Sequence, residues 1–311
     1  MSGSAVVIGS VHMDLIAIAD RLPRLGESVT GGVFSMAPGG KGGNQAIQLA
    51  LCGIEATLIS RVGDDQFGAA LRNALSRKGV RIDRVMVDLH RATGASTVLA
   101  AEGDYASIIA PGAAGALDAA DLVAARPEIE LASLAVLQME LDWKFVADAI
   151  AECVALATPV MLNASPAPSD PRQLAQLPPG AVRWLVVNQV EAAALAGYPV
   201  GGLRDAPAVA AALQASLDVP DVIVTAGRDG AVWRSGNRTI SQTAFRADVV
   251  DTVGAGDAFL GALAAGVIRG LPPEESLRRA AAAGAIAVGR AGAYDAFPTS
   301  RQIDEFLAAR P

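Results

Sequence analysis

Short apolar runs rich in β-branched residues recur along the chain, with helical patterns between them. The runs predict buried strands at 5–9, 56–63, 134–139, 159–163, 183–188 and 221–227. The other stretches predict helices at 66–79, 143–157, 205–217, 256–270 and 272–290. Continuous apolar strands are typical of parallel sheets covered on both faces, and the alternation implies crossover connections. The pattern therefore predicts one α/β domain over residues 1–311, with a doubly wound, mostly parallel sheet and helices on both faces.

Two segments, about 15–37 and 94–109, break this alternation. In each, strand-like stretches are joined by Gly, Pro and Asp turns with no helix between them. Such segments are typical of an antiparallel flap, and a lid over a ligand is a common use for one, although an ordinary edge hairpin shows the same pattern. We expect a small β-sheet lid. Its open strand edge also predicts a homodimer through the lid, because pairing hides an exposed edge.

Composition narrows the class of protein. Hydrophobic residues make up 52% of the chain, yet no apolar run is long enough to span a bilayer without Gly, Pro or charge. The first residues lack a signal-peptide pattern, so we expect a cytoplasmic protein with no membrane partner. The net charge of −7 disfavours nucleic acid and favours small-molecule partners. Cys52, Cys153, His12 and His90 have no zinc-site spacing, so the thiols are expected to be reduced and mostly buried.

Polar residues follow most of the predicted strands. On doubly wound sheets ligands bind at the carboxyl ends of the strands, so these positions are the ones where a binding cleft is expected. The polar or small residues at these ends are Ser10, His12, Asp14, Glu140, Asn163, Asn188, Glu191, Thr225 and Gly227. One such residue is usually a turn former, but this many predict a lined cleft.

Two glycine-rich stretches lie at predicted helix starts. The stretch "PGGKGGNQA" (38–46) allows close approach of the backbone to a ligand, and Asn44 can hydrogen-bond hydroxyl groups. It lacks the spacing of a Walker motif, and no GxGxxG follows the first strand. The stretch "DTVGAGDAF" (251–259) opens an alanine-rich helix whose N-terminus favours an anion such as phosphate. Asp257 within it is either a helix cap or a side chain with a role beside the phosphate.

These two stretches, with "NQVE" (188–191) and "TAGRDG" (225–230) between them, resemble the ribokinase (PfkB) family of carbohydrate kinases. The resemblance runs from "GSVHMD" to the helix after "GRAGA" (289–293). It implies an α/β domain with a small β-lid, which agrees with the pattern above. It also implies transfer of the γ-phosphoryl group of ATP, with Mg²⁺, to a hydroxymethyl group of a sugar or nucleoside.

The resemblance assigns catalytic roles. Asp257 would be the base that takes the proton from the attacking hydroxyl. The N–H groups around Gly254, Ala255 and Gly256, with the helix dipole, would stabilise charge on the transferring phosphoryl group. Asn188 and Glu191 match the motif that organises magnesium, water and phosphate; from the residues alone they are a strand-end turn and a first-turn helix carboxylate.

The nucleotide and cation sites follow from the same resemblance. Thr225, Gly227 and Gly230 match the loop that admits ATP, together with Gly256, although a plain hairpin turn uses similar residues. Asp251 and the carbonyl of Val253 match positions that hold a monovalent cation, usually K⁺; the alternative makes Asp251 the partner of a loop N–H.

On the sugar side, the resemblance places substrate contacts at His12, Asp14, Gly40, Lys41, Asn44, Glu140 and Asp257. Carboxylate and amide groups recognise paired hydroxyls, and they discriminate strongly against analogues that lack them. His12 departs from the family, since ribokinases carry Asn there, and an imidazole ring cannot copy the amide contact. The acceptor is therefore open among ribose, a deoxy-sugar, another pentose, a ketohexose and a nucleoside.

The leading hypothesis is an ATP-dependent sugar kinase of this family. A nucleoside kinase of the same family is the nearest alternative, disfavoured because only 4% of the residues are aromatic and a base needs an apolar or aromatic surface. A catalytically silent sugar-binding regulator is the other alternative, disfavoured because such a protein has no need for Asp257.

Overall fold

A computed structural model describes residues 3–101 and 104–310. Its strands are β1 Ser4–Ile8, β2 His12–Ile18, β3 Val33–Gly39, β4 Glu55–Gly63, β5 Val85–Asp88, β6 Thr93–Ala101, β7 Asp104–Gly112, β8 Leu134–Gln138, β9 Val160–Asn163, β10 Trp184–Asn188, β11 Asp221–Thr225, β12 Gly230–Ser235 and β13 Arg238–Thr243. Its α-helices are α1 Lys41–Leu51, α2 Gln66–Arg77, α3 Ala119–Ala124, α4 Arg126–Leu131, α5 Trp143–Ala155, α6 Gln189–Ala196, α7 Ala206–Leu217, α8 Ala255–Ile268, α9 Pro273–Val288 and α10 Ser300–Ala308.

The larger sheet contains nine strands within the described residues, in the order β13-β12-β11-β10-β9-β8-β1-β4-β5. The strands from β11 through β1 to β5 run parallel, and β12 and β13 add an antiparallel hairpin at one edge. This confirms the predicted doubly wound, mostly parallel sheet. The short strand β5 and the hairpin strands β12 and β13 are additions that the apolar runs did not predict.

Both faces of this sheet are buried, which explains the continuous apolar runs. In β1, Val7 belongs to a buried cluster with residues of α1, α8 and α9, while Val6 and Ile8 belong to a second cluster with residues of α5 and α7. Each fully buried side chain of this size contributes about 1.5–3 kcal/mol relative to exposure. Alternate residues of one strand thus anchor helices on opposite faces, and the helix ends are fixed relative to the strand ends.

The strand order reverses between β8 and β1. From this point the chain adds strands on one side through β9 and β10, and on the other through β4 and β5. A reversal of this kind leaves a crevice at the carboxyl ends of the two central strands, where ligands bind in open α/β sheets. The crevice therefore lies beside Ser10, two residues after β1, and Glu140, two residues after β8.

A second sheet, the lid, has the strand order β3-β2-β6-β7. The prediction of a separate β-lid is confirmed, and it extends slightly beyond 15–37 and 94–109; Glu102 and Gly103 of the second segment lie outside the described residues. The flap is not antiparallel throughout, because β2 and β6 pair in parallel with His12 opposite Gly94. Each hairpin is antiparallel, but the two hairpins join through strands of the same direction.

The helices complete the α/β layers. Among the described residues, no helix is both long enough and apolar enough to cross a membrane. The short helices α3 and α4 and the last helix, α10, were not predicted. Helix α10 begins with a capping box between Thr299 and Gln302.

Candidate active site

The two glycine-rich motifs meet at the carboxyl edge of the sheet, in the first turns of α1 and α8. Asp257 is 6% exposed and accepts two hydrogen bonds from α1. Asn44 Nδ2 donates to its Oδ2 at 2.7 Å, and Gln45 Nε2 donates to its Oδ1 at 2.8 Å. Both carboxylate oxygens are therefore held by amides from another helix.

Asp257 does not cap its own helix. The N-cap position of α8 is Gly254, which carries no side chain, and no side chain hydrogen-bonds the helix N-terminus there. The backbone N–H groups of the first turn are thus left with the partial positive charge of the helix end, as an anion site requires. The Asp257 carboxylate thus faces α1 and is not used to cap this helix end.

The glycines of this turn differ in what surrounds them. Gly254 has φ of 73°, and an added Cβ would lie 2.9 Å from the Phe297 ring and 3.0 Å from Ala293. Gly256 is exposed, and an added Cβ would meet no heavy atom within 4 Å. Gly254 is therefore needed by the fold, whereas the fold places no steric demand on Gly256.

A chain of buried amides extends inward from Asp257. Gln45 Nε2 also donates to Asn163 Oδ1 at 3.1 Å, and Gln138 Nε2 donates to Gln45 Oε1 at 2.7 Å. Asn163 Nδ2 in turn donates to the carbonyl of Val186 at 3.2 Å. Sequence reasoning placed Asn163 at the cleft but missed Gln45 and Gln138; Gln45 was visible as the neighbour of Asn44, whereas Gln138 gives no signal inside an apolar strand.

The predicted sugar contacts gather in the crevice between β1 and β8. Glu140 accepts hydrogen bonds from the Ser10 hydroxyl and, at 2.9 Å, from the backbone N–H of Lys41. Gly40, the N-cap residue of α1, has φ of 92°, and its Cβ would lie 2.7 Å from the Ser10 carbonyl oxygen, so only glycine fits there. The loop after β1 and the start of α1 are thereby held in contact around the Glu140 carboxylate.

His12 and Asp14 reach the same region from lid strand β2. His12 Nε2 lies 3.2 Å from Asp14 Oδ1, and its Nδ1 is buried without a hydrogen-bond partner. Burial alone would lower the pKa of His12, but the hydrogen bond to Asp14 and the charges of Glu140 and Asp14 outweigh it and raise the pKa above 6.5. The departure from the family pattern therefore places a histidine that carries positive charge more readily than usual beside two carboxylates.

Tyr294 is a component that sequence reasoning missed. It is 4% exposed, and its hydroxyl donates to the carbonyl of Gly39 at 3.4 Å and contacts Gly43. Burial, and then the charges of Asp14 and Asp257, raise the pKa of Tyr294 above its usual range, so the phenol stays a donor. Its position in a loop outside any periodic pattern gave no signal.

Asn188 and Glu191 form a capping box at the start of α6. Asn188 Oδ1 accepts from the N–H groups of Val190 and Glu191 at 2.8 and 2.9 Å, and Glu191 accepts from the Asn188 backbone and side chain, each at 2.8 Å. Burial raises the pKa of Glu191, against hydrogen bonds from Ser165 and the Asn188 backbone that lower it. Lys41 and Asp257 also act on Glu191 electrostatically, which places this box beside the cleft.

The loop with Thr225, Gly227 and Gly230 joins β11 to β12 as a tight hairpin. An added Cβ at Gly230 would collide with the Gln242 carbonyl, so the hairpin itself requires this glycine. Gly227 has nothing within 4 Å of an added Cβ, and Thr225 Oγ1 donates to the Val187 carbonyl at 3.4 Å. Of the three residues predicted for this loop, Gly230 is therefore required by the hairpin, whereas Gly227 is exposed with open space beside it.

Asp251 links two loops near the start of α8. Its Oδ1 accepts from the Val253 N–H and its Oδ2 from the Gly292 N–H, both at 2.9 Å. The loop N–H partner expected as the alternative role of Asp251 is thus present. Among the described residues, no group of three or more His, Cys, Asp or Glu side chains is placed to hold a metal ion.

The sequence pattern of the pfkB family of carbohydrate kinases matches residues 2–300. The chain belongs to this family and is a sugar kinase, a phosphotransferase with an alcohol acceptor.

Individual relatives agree with this membership. The chain is 32% identical to ribokinase from Bacillus subtilis (strain 168), over 97% of this chain and 98% of the relative. It is 30% identical to deoxyribokinase from Salmonella typhi, with coverage of 97% and 98%. The solved structure of Arabidopsis thaliana ribokinase complexed with ribose and ATP superposes with a TM-score of 0.87 at 28% identity, covering 99% of both chains.

Proposed function

We propose that this sugar kinase phosphorylates a hydroxymethyl group of a pentose at the expense of ATP, with Asp257 as the catalytic base. The observation that carries the proposal is the Asp257 carboxylate, buried beside an uncapped helix N-terminus and held by amides on both oxygens. The names of the relatives, which include a ribokinase and a deoxyribokinase, support a pentose as the acceptor.

The chemistry follows from this geometry. The acceptor hydroxyl gives its proton to Asp257 while its oxygen forms a bond to the γ-phosphorus of ATP, and the bond between that phosphorus and the bridging oxygen of ADP breaks. The N–H groups around Gly254, Ala255 and Gly256, with the α8 dipole, stabilise negative charge on the transferring group. A positioned base contributes about 10²–10⁴-fold to the rate.

The ATP phosphates would approach the Gly256 side of α8, because the space there is open to a ligand. Thr225 and Gly227 would line the nucleoside side of the same cleft. Gly230 supports the loop by permitting the hairpin and is not proposed as a direct contact.

Side-chain and carbonyl oxygens near the cleft could bind Mg²⁺ and K⁺, but some of these oxygens already accept hydrogen bonds. Mg²⁺ neutralises charge on the phosphates in reactions of this class. Asn188 and Glu191 offer oxygens of the right kind, but those oxygens already accept bonds in the capping box, so we assign them to binding through water. Asp251 and the Val253 carbonyl offer an oxygen-only set that suits K⁺; each Asp251 oxygen accepts one N–H and keeps a free lone pair.

The sugar would lie against Asp14, Gly40, Lys41, Asn44 and Glu140. Its hydroxyls would replace water on these groups, and His12 would contribute through the nitrogen that lacks a partner. Because this nitrogen can donate when the ring is protonated, it favours an acceptor oxygen on the sugar at that position.

We also propose that two copies associate through the lid. Phe34, Met36 and Ile108 are exposed on the lid, and the strand register puts Met36 and Ile108 on the face opposite His12 and Asp14. An exposed apolar sheet face of this kind is typical of a protein interface.

Buried free thiols at Cys52 and Cys153 are compatible with the cytoplasm as the site of action.

The direct test is ADP formation from Mg-ATP with K⁺ present, across ribose, 2-deoxyribose, other pentoses, fructose and nucleosides, with a reaction lacking acceptor as control. A pentose that stimulates ADP formation, with a new phosphomonoester signal in ³¹P NMR, supports the proposal. Stimulation by nucleosides alone would reassign the acceptor. If no acceptor stimulates turnover although a sugar raises Tm, the protein is a sugar binder.

A further inference from the structure

Gln45 is a polar side chain in a position where the fold would accept an apolar one. It lies in the second turn of α1 with no exposed surface, between the sheet and α8. A buried amide costs stability unless its donors and acceptor all find partners. Gln45 finds partners for all of them, and each partner is itself buried.

The orientation of the Gln45 amide follows from the chemistry of its partners. A carboxylate only accepts, so the atom that faces Asp257 Oδ1 at 2.8 Å must be the nitrogen. The second N–H goes to Asn163 Oδ1 at 3.1 Å, and the oxygen accepts from Gln138 at 2.7 Å. Turning the amide over would set its oxygen against the carboxylate and its nitrogen against the Gln138 N–H, so only one orientation is stable.

We propose that Gln45 is a positioning residue that fixes the orientation of the Asp257 carboxylate, and that Gln138 and Asn163 hold Gln45 in place for this purpose. The inference rests on the proposed role of Asp257 as the base. Asn44 holds the other carboxylate oxygen, but Asn44 is also a proposed sugar contact, and its Oδ1 has no partner in the protein. Gln45 is therefore the donor whose hydrogen bond to Asp257 stays in place when a sugar binds.

Orientation matters because proton transfer requires the carboxylate oxygen within hydrogen-bond reach of the attacking hydroxyl, about 2.6–3.2 Å between heavy atoms. A carboxylate held at one oxygen can rotate about its last bond. Held at both, it presents the same lone pairs in every turnover. The N–H of Gln45 also stabilises the charged form of the carboxylate, which is the form that accepts the proton.

The chain offers a matched control one turn along the same helix. Gln48 is equally buried, and its Nε2 donates to the Pro298 carbonyl at 2.9 Å. It packs against α8 as well, since an added Cβ on Gly261 would lie 2.5 Å from its Cβ. Gln48 makes no hydrogen bond to Asp257, so its loss removes a buried amide from the same interface without touching the proposed base.

The experiment compares Gln45→Met with Gln48→Met, using ADP formation from Mg-ATP with D-ribose or with the better acceptor from the panel. For Gln45→Met we expect kcat to fall about 10- to 100-fold, with KM for both substrates within about 3-fold. For Gln48→Met we expect a smaller loss of Tm, because its Oε1 is buried without a partner, with kcat within about 2-fold of wild type.

The outcomes separate this inference from the function on which it rests. If Asp257→Asn is inactive while Gln45→Met keeps the wild-type kcat, the positioning role is wrong and the base stands. If Asp257→Asn keeps wild-type activity, the base role fails. If both glutamine variants lose kcat in proportion to Tm, Gln45 is structural only.

A second variant covers the case in which Gln45→Met does not fold. Gln138→Met removes only the hydrogen bond to Gln45 Oε1, so it should produce a smaller loss of kcat, with KM for both substrates within about 3-fold of wild type. An unchanged kcat in Gln138→Met would overturn the proposal.

Discussion

Asn44 Nδ2 donates a 2.7 Å hydrogen bond to Asp257 Oδ2, although 213 positions separate the two residues. The bond joins the first turns of α1 and α8, and the neighbouring Gln45 binds the second oxygen of the same carboxylate. The two glycine-rich motifs are therefore one structural unit: the first supplies the groups that hold the carboxylate, and the second supplies the carboxylate and a helix N-terminus without a side-chain cap.

Substitutions of the two glycines at the start of α8 are expected to affect stability and activity differently. Gly256→Ala adds a methyl group into open space and should keep or slightly raise stability, since alanine is favoured over glycine in helices by up to about 1 kcal/mol. The methyl group lies where we place the phosphates, so kcat/KM for ATP should fall about 10- to 100-fold. Thermal unfolding and steady-state kinetics of one preparation measure both effects.

Gly254→Ala is the contrasting change. Its φ of 73° costs a residue with a side chain about 1–2 kcal/mol, and the Cβ crowds Phe297. We therefore expect a clear fall in the Tm of Gly254→Ala. For Gly256→Ala, full activity would mean that the phosphates do not bind at this turn.

His12 should make stability depend on pH. Its folded pKa lies above the ordinary 6.5, so the stabilisation from its charge is fully present below 6.5 and is lost as the pH rises through the folded pKa. The facing groups are Asp14 and Glu140, which favour the charge, and Lys41, which opposes it. The excess stability of wild type over His12→Asn should therefore shrink from pH 6.5 upward. Denaturant unfolding across this range measures it.

The same histidine can be observed directly. The chain contains two histidines, and His90 is exposed, so His12→Asn assigns both ring signals in an NMR titration. A His12 midpoint at or below 6.5 would contradict the arrangement described here. If His12 selects the acceptor, the same variant should also change the ratio of activities with ribose and 2-deoxyribose.

Much of the fold was predictable because it depends on local patterns. Apolar runs covered on both faces, such as β1, and the helices between them follow from periodicity. The parallel pairing of β2 with β6 was not predictable, because pairing direction between distant hairpins leaves no mark on either segment. Strand β5 is only four residues long with exposed Met86 and Val87, so its apolar signal is weak.

The candidate site was predictable to the level of its motifs. Asp257, Asn44 and Glu140 were named from the sequence, and the structure brings them to one edge of the sheet. The supporting residues Gln45, Gln138 and Tyr294 were not named, because a buried amide or phenol shows its role only through its partners. Capping by Asp257 was left open by the sequence, and the geometry of α8 does not show it.

Glu191 should affect activity and stability in opposite directions. The raised pKa of Glu191 means that its negative charge lowers the stability of the folded protein. The folded protein is therefore more stable below pH 4.5, where Glu191 is neutral, and it loses this stability as the pH rises through the folded pKa. Glu191→Gln keeps a capping-box residue and removes the charge. At neutral pH we expect an equal or higher Tm, with activity lowered about 10- to 100-fold and a higher Mg²⁺ requirement.

The matched control for Glu191 is the capping box of α10. Gln302→Ala removes a capping side chain at a distant helix and should lower Tm without changing the Mg²⁺ requirement. A Glu191→Gln enzyme with wild-type activity and Mg²⁺ response would remove Glu191 from the metal and phosphate region.

The lid face provides a test of assembly. Ile108 is 77% exposed and Phe34 is 63% exposed, on opposite outer strands of the lid. Charges at these positions in the double variant Phe34→Glu, Ile108→Glu should convert a dimer into a monomer, measured by light scattering after size exclusion. A wild-type chain that is already monomeric at micromolar concentration would rule out the lid interface.

The proposed mechanism depends most directly on Asp257. Asp257→Asn keeps the size of the side chain and removes the base, so single-turnover ADP formation with the preferred sugar should slow about 10²–10⁴-fold while ATP and sugar still bind. Asp221→Asn is the control, since Asp221 is 2% exposed at the opposite end of β11, paired with Arg183; it should lower Tm and leave turnover intact. An Asp257→Asn enzyme that turns over at the wild-type rate would contradict the proposed mechanism.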